Sequence, residues 1–469
     1  MAEGGQPGER LRQYLRQLSP GARALLIAEL ERAASRGEEI PGGNFLLNEV
    51  RSAVRESDGA MPRLDGPARL VFRPLEPFLF DSNVVHKYPY RIARTSLVPI
   101  WRWIGRDLMP EQAASFKREA GRALAAADPA TCDHLTHLFH ERLIERIRIT
   151  FASLASNEKA RRRLAGQIGT VAPLEDIGDL LAIITRRDTF ALIENRLPGH
   201  IPNLTPPLID SVMALLESPF GVAHELLPYS LVLVLSQLAA PWQLIRLAVK
   251  AAGSDHDARV AGTPYATAVV HALGEIERQV AELKFDLRRG SAAACTVLLK
   301  SIHDAVRGLR TELDLAPDST WGRQLAEIRA DVSSLLKAEI ESVPGRVRRL
   351  LRPRTARDAR GFVLDAGDIA STESLIELVG ACRNYASELA LNEIAQRTYH
   401  EVEQYLDTDK QALLEGLRKA SDAERAFRQS QVDAAVRFCG KVFGQDYASI
   451  LTKAAEVAAH SERKAAAKA

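Results

Sequence analysis

The chain is short of the features that usually announce a function. Its 469 residues include only four cysteines, Cys132, Cys295, Cys382 and Cys439, far apart and with no CxxC pair. That excludes a zinc knuckle and a thioredoxin-like redox motif, and so few thiols suit a reducing compartment. Neither sign of charge prevails. Against 62 Lys+Arg stand 60 Asp+Glu, a net +2, so no global field marks a nucleic-acid binder. The Walker-type phosphate loop, the dinucleotide-binding glycine fingerprint, the G-x-S-x-G elbow, the kinase motif set and the EF-hand loop are all missing, as is the βαβ alternation that usually carries such chemistry. No repeat of about 30–45 residues points to a solenoid. The opening residues Met1–Gly8 lack the apolar core of a secretory signal, and the expected location is cytoplasmic. These absences lower the expectation of an enzyme. No cofactor and no small-molecule substrate emerge from the sequence.

What is present is helix. Hydrophobic residues make up 46% and charged residues 26%, globular averages that exclude a disordered, collagen-like or multi-span membrane chain. The length passes the roughly 250–300 residues at which one core stops growing. Ser19-Pro20 and Asp128-Pro129 read as an N-cap followed by a first-turn proline. Strand alternation is rare; Val71, Phe72 and residues 78–80 make short extended candidates, interrupted by Pro74 and Pro77. The expected fold is all-α, in two or three helical-bundle domains. N-terminal helices fill 1–54, an irregular connector 55–90, and a helical domain with apolar core helices 91–253. An antiparallel helical bundle follows over 265–345, then an arginine-rich linker over 346–369, then a C-terminal helical domain with a frayed tail over 370–469.

The clearest period lies in the bundle. Val269, Leu273, Ile276, Val280, Leu283 and Leu287 form an a/d seam, and Cys295, Leu299, Ile302, Val306, Leu309 and Leu313 repeat it. Leu325, Ile328, Val332 and Leu335 open a third helix, ending near Pro344-Gly345. Short turns between long helices imply antiparallel neighbours. The seam serves either an intramolecular three-helix core or a self-association surface.

Four segments carry binding or chemical potential. His134, His137 and Glu141, in a helix that also holds His140, are candidate metal ligands, because His137 and Glu141 four apart share a face. The order is not HExxH, and the alternative is a polar helix face. Arg346, Arg348, Arg349, Arg352, Arg354, Arg357 and Arg360, opposed only by Asp358, make a local positive field suited to an anionic membrane surface or an acidic partner. The alternative there is a solvated linker. Trp101 and Trp103 beside Arg94, Arg102 and Arg106 suggest either an interfacial helix or one core tryptophan with the other half-exposed. Leu226 to Ile245 run twenty residues without a formal charge, a bilayer's length. Pro228 and Pro241 divide them into two short core helices, with Pro241 opening the second and Gly253 closing it.

The sequence therefore points to a non-enzymatic helical interaction or scaffold protein of the cytoplasm, with protein partners that include a second copy of itself. A peripheral protein of the inner membrane face, held through Arg346–Arg360, is the alternative; a metal-dependent helical enzyme using His134, His137 and Glu141 is a weaker one.

Overall fold

The computed structural model describes residues 26, 64, 66–81, 87–154, 157–169, 171–217, 225–290, 292–352 and 363–466. The chain divides into two compact units, Met1–Arg69 and Leu70–Ala469. The helices expected over 1–54 lie outside the described residues, apart from the helical Leu26. The architecture is all-α. Among the described residues the only named strands are β1 (Leu79–Phe80) and β2 (Ile92–Ala93), paired in parallel with Leu79 opposite Ile92.

Helix α1 (Gly66–Phe72) runs into a 3-10 turn over Arg73–Phe78. This stretch falls within the expected connector, yet Val71, Phe72, Leu75 and Phe78 are buried. Pro74 sits in the first turn of the 3-10 helix, where its missing N–H costs nothing. Proline content thus marks irregular backbone here, while Leu75 between the prolines and Phe72 and Phe78 on either side of them enter the core. Phe78 lies edge-on to Phe190 and Tyr229, with ring centroids 5.3 and 6.3 Å away. Val71 and Phe72, expected as extended, are helical.

Helices α2 (Leu97–Trp103), α3 (Pro110–Ala125), α4 (Pro129–Leu154), α5 (Glu158–Ile168), α6 (Val171–Thr185), α7 (Arg187–Arg196) and α8 (Pro206–Leu216) follow. Next comes α9 (Leu227–Gln237), in which every residue from Tyr229 to Leu235 is buried, chiefly against the Arg73–Phe78 turn, α7, the Pro241–Leu244 turn and the helix Thr267–Arg288. The uncharged run is therefore a central core helix. Pro241 then opens a 3-10 turn, Pro241–Leu244, leading into α10 (Ile245–Ala252), and Gly253 closes α10 at φ 58°, the left-handed cap that glycine adopts without strain. Among the described residues no helix is long and apolar enough to cross a membrane.

After the short α11 (Asp257–Ala261) come α12 (Thr267–Arg288), α13 (Ala292–Glu312), α14 (Thr320–Leu351) and α15 (Ala366–Leu389). The seam residues Val269, Leu273, Ile276, Leu283, Cys295, Leu299, Ile302, Val306 and Leu309 are all inaccessible, so the seam faces its own chain. Helix α12 packs on α13 and α14, and α15 packs on the same two from the other side. Among the described residues α13 and α14 thus meet chiefly through α12 and α15 and not in the three-helix arrangement expected.

Two details depart from the sequence reading. Leu336, rather than Leu335, is buried on α14, because the buried positions 332, 336, 340, 343 and 347 follow the true 3.6-residue turn and not a strict heptad. Pro344 does not end α14. It lies inside the helix, buried, and the helix continues through Val347, Leu350 and Leu351, whose apolar contacts outweigh the one backbone bond lost. The final helices α16 (Asn392–Arg418), α17 (Asp422–Val442) and α18 (Gln445–Ala466) pack on one another, and α16 and α17 pack also on α14 and α15. Phe427, Phe438 and Cys439 fill that core.

Candidate functional site

The densest polar chemistry of the described residues gathers where residues 87–94 meet α6, α9 and α12. Lys87 Nζ donates to the Arg91 carbonyl at 2.5 Å, to Asp176 Oδ1 at 2.6 Å and to Asp179 Oδ2. Asp176 Oδ2 also accepts from the Ala93 N–H at 3.3 Å, and Asp179 Oδ1 from the Tyr229 hydroxyl at 2.7 Å. An ammonium has three protons to give, and here each has an acceptor. Burial first, and the Asp179 carboxylate second, push the Tyr229 phenol upward. Tyr90, at φ 61°, sets its ring against Tyr229 and His271.

A second cluster adjoins it on α12. Arg91 Nη1 donates to Glu275 Oε2 at 2.8 Å, and Arg278 Nε and Nη2 donate to Glu275 Oε1 at 2.9 and 2.6 Å. Arg278 Nη1 also reaches Glu282 Oε2 at 3.0 Å. Burial opposes ionisation of Glu275, but the guanidiniums of Arg278 and Arg91 overcome it and hold the carboxyl at about 2. Each buried ion would cost several kcal/mol to desolvate alone; together these groups neutralise one another and tie residues 87–94 to two helices.

On the far side of Glu275 a cavity of about 140 Å³ lies between α12, α13 and the Pro241–Leu244 turn. Ala272, Ile276 and Ala305 form its apolar floor, and Glu275, Gln279, Ser301 and Asp304 its polar wall. Gln279 is 7% exposed, and its Oε1 is shut off from water with no hydrogen-bond donor. The Trp242 indole, also lining the cavity, is seated against Gly308 and lies under the Arg246 guanidinium, 5.2 Å from the ring centre.

The structure treats the predicted metal residues separately. All lie on α4. His137 Nε2 and Glu141 Oε1 are 3.2 Å apart, and the Arg187 guanidinium lies against the same imidazole. His134 is exposed, while His140 is buried and donates from Nε2 to the Val71 carbonyl at 2.8 Å. Among the described residues no three His, Cys, Asp or Glu side chains are grouped to hold a metal ion. His137 and Glu141 thus lie against each other on the helix face, beside the Arg187 guanidinium. Burial depresses His140, to about 4.

Of the arginine set, Arg346, Arg348, Arg349 and Arg352 are described, and Arg354, Arg357 and Arg360 lie outside the described residues. Arg346 is half-buried on the last turns of α14. Arg348 is committed to Glu401, at 2.6 Å, and stacks over Tyr405. Arg349 and Arg352 are exposed. Trp101 and Trp103 are both buried, at 6% and 3% exposure, correcting the expectation of one half-exposed ring. Trp101 is edge-on to Phe72 and Phe139, with Lys117 over its face, and a π turn over Ile104–Leu108 continues α2. Helix α2 is covered on more than one side, so residues facing different ways are both inside. Arg94 and Arg106 are engaged with Glu76, Asp81 and Asp107.

Several large apolar side chains are exposed among the described residues, Ile149, Val171, Val297 and Val363 among them, and two of the most exposed share one helix. Helix α18 packs on α16 and α17 through Ala448, Leu451, Ala455 and Ala458, yet Ile450 and Val457, two turns apart on its outer face, are 69% and 64% exposed.

No protein-family model, curated protein or solved structure matches the chain. The buried clusters went unread in the sequence because charge pairing is a tertiary property. A signal was present nonetheless. Asp176 and Asp179, three apart, share a face of the largely apolar helix α6, and Glu275 and Gln279 recur at helical spacing beside the α12 seam.

Proposed function

We propose that this chain is a non-enzymatic helical interaction protein of the cytoplasm that associates with a second copy of itself through the outer face of α18. The exposed pair Ile450 and Val457 carries this reading. Seven residues on a helix are two turns, so both side chains stand on one line, and large aliphatic groups aligned on a surface are stabilised by covering. Lys453 and Glu456, both exposed on the same helix, give the rim opposite charges that a second copy complements. The commitment of Lys87, Asp176, Asp179, Arg91, Glu275 and Arg278 to one another supports a structural interior. The cytoplasmic location is supported by four free, buried cysteines, a state that a reducing compartment preserves.

Replacing Ile450 and Val457 together by Lys is expected to leave helicity and melting temperature unchanged, since both are exposed, and to lower the mass measured by light scattering. A mass equal to that of the unaltered chain would remove the assignment to this face.

A second reading rests on the exposure of Arg349 and Arg352 at the end of α14: attachment to an anionic membrane surface, with each cation near the surface contributing about 1 kcal/mol. The Arg349→Ser/Arg352→Ser variant should then bind phosphatidylserine vesicles roughly tenfold or more weakly in a sedimentation assay at low salt. Equal binding by variant and wild type contradicts this reading.

A further inference from the structure

The cavity beside Glu275 is unassigned by anything above, and its walls select a chemistry. An apolar cavity of about 150 Å³ accommodates benzene, so one of about 140 Å³ has room for roughly six non-hydrogen atoms. It exists because four alanines, Ala239, Ala240, Ala272 and Ala305, stand where larger side chains would close the gap. Its only charged lining residues are Glu275 and Asp304, both carboxylates. Glu275 is already balanced by Arg91 and Arg278. Asp304, with its side chain 54% exposed, meets only the neighbouring His303 Nδ1, at 3.1 Å on Oδ1. The Ser301 hydroxyl adds an acceptor at the rim.

We propose that this cavity binds the end of a primary alkylammonium, its charge held at Asp304, its N–H groups shared with the Ser301 hydroxyl, and its methylenes resting on Ala272, Ile276 and Ala305. An anion of the same size meets the Asp304 carboxylate there. A neutral alcohol fits the floor but forgoes the charge-assisted hydrogen bond, which is roughly twice as strong as a neutral one. The inference goes beyond the self-association proposed above, and its test does not depend on oligomeric state.

The test is a titration of the full chain with butylammonium, butanol and butyrate. It is followed by ligand-observed NMR and by the indole N–H resonance of Trp242, identified by its loss in Trp242→Phe. Butylammonium is expected to saturate with a dissociation constant on the order of 1 mM, as befits so few atoms, and butanol and butyrate to bind at least tenfold more weakly. Asp304→Asn should weaken butylammonium about tenfold, and Ser301→Leu, which narrows the mouth, should do the same or more. Both positions are exposed, and unchanged melting curves confirm that the fold is kept. Butane-1,4-diamine and Nα-acetyl-lysine methylamide separate a free diamine from a lysine side chain as the source of the ammonium; the tighter of the two names it. A wild-type chain with no saturable response, equal binding of butyrate, or an Asp304→Asn variant with undiminished affinity would each overturn the proposal.

Discussion

At the residue scale the interior is tuned by two histidines. His140 and His271 are buried, donate to the carbonyls of Val71 and Pro228, and are each held down to about 4, chiefly by burial. Both are neutral in the folded chain at neutral pH, while the unfolded chain binds protons near 6.5. As pH falls from about 6.5 towards 4, the unfolded state gains protons that the folded state refuses, and stability declines. Each histidine costs up to about 3 kcal/mol of stability across that window. Denaturant unfolding at stepped pH should show this decline, and His140→Gln with His271→Gln should flatten it. Glu275 acts lower: held at about 2, its stabilisation is present above about 4.5 and is lost only as pH falls below that. A second residue-scale prediction concerns Gly308. A Cβ there would stand 2.3–2.6 Å from three atoms of the Trp242 ring. Gly308→Ala should therefore lower unfolding free energy by about 1–3 kcal/mol, although alanine is the better helix former by about 1 kcal/mol. Nothing in the local sequence announces this contact, because Trp242 and Gly308 meet only when the Pro241–Leu244 turn seats on α13.

At the element scale burial phase decides consequence. Leu299 and Val297 stand two apart on α13, at 0% and 71% exposure. Leu299→Ala should cost about 2–5 kcal/mol, and Val297→Ala should stay within about 0.5 kcal/mol of wild type, both measured by urea unfolding. The seams of α12 and α13 were legible because apolar spacing of three and four residues is a local property. The continuation of α14 past Pro344 was not: the helix persists because Val347, Leu350 and Leu351 are covered by neighbours distant in sequence. The same holds for Trp101 and Trp103, whose spacing predicts opposite faces but not that both faces are covered. Of the candidate site, the His137–Glu141 adjacency was readable from helical spacing, whereas Arg187, which joins it, comes from α7.

At the scale of the whole molecule the helices on either side of the arginine-rich segment pack against one another. Helix α15, which follows it, completes the four-helix group with α12, α13 and α14, and α16 and α17 pack on α14 and α15. Composition suggested a linker because it reports solvation and not which helices meet. The interior spends its charges on itself, and α18 presents Ile450 and Val457 outward, which together make self-association the central claim. Sedimentation equilibrium of the unaltered chain over a wide range of concentration tests it most directly. The account predicts a mass that rises with concentration from 51.5 kDa towards twice that value; a mass fixed at that of the single chain at every concentration would contradict it.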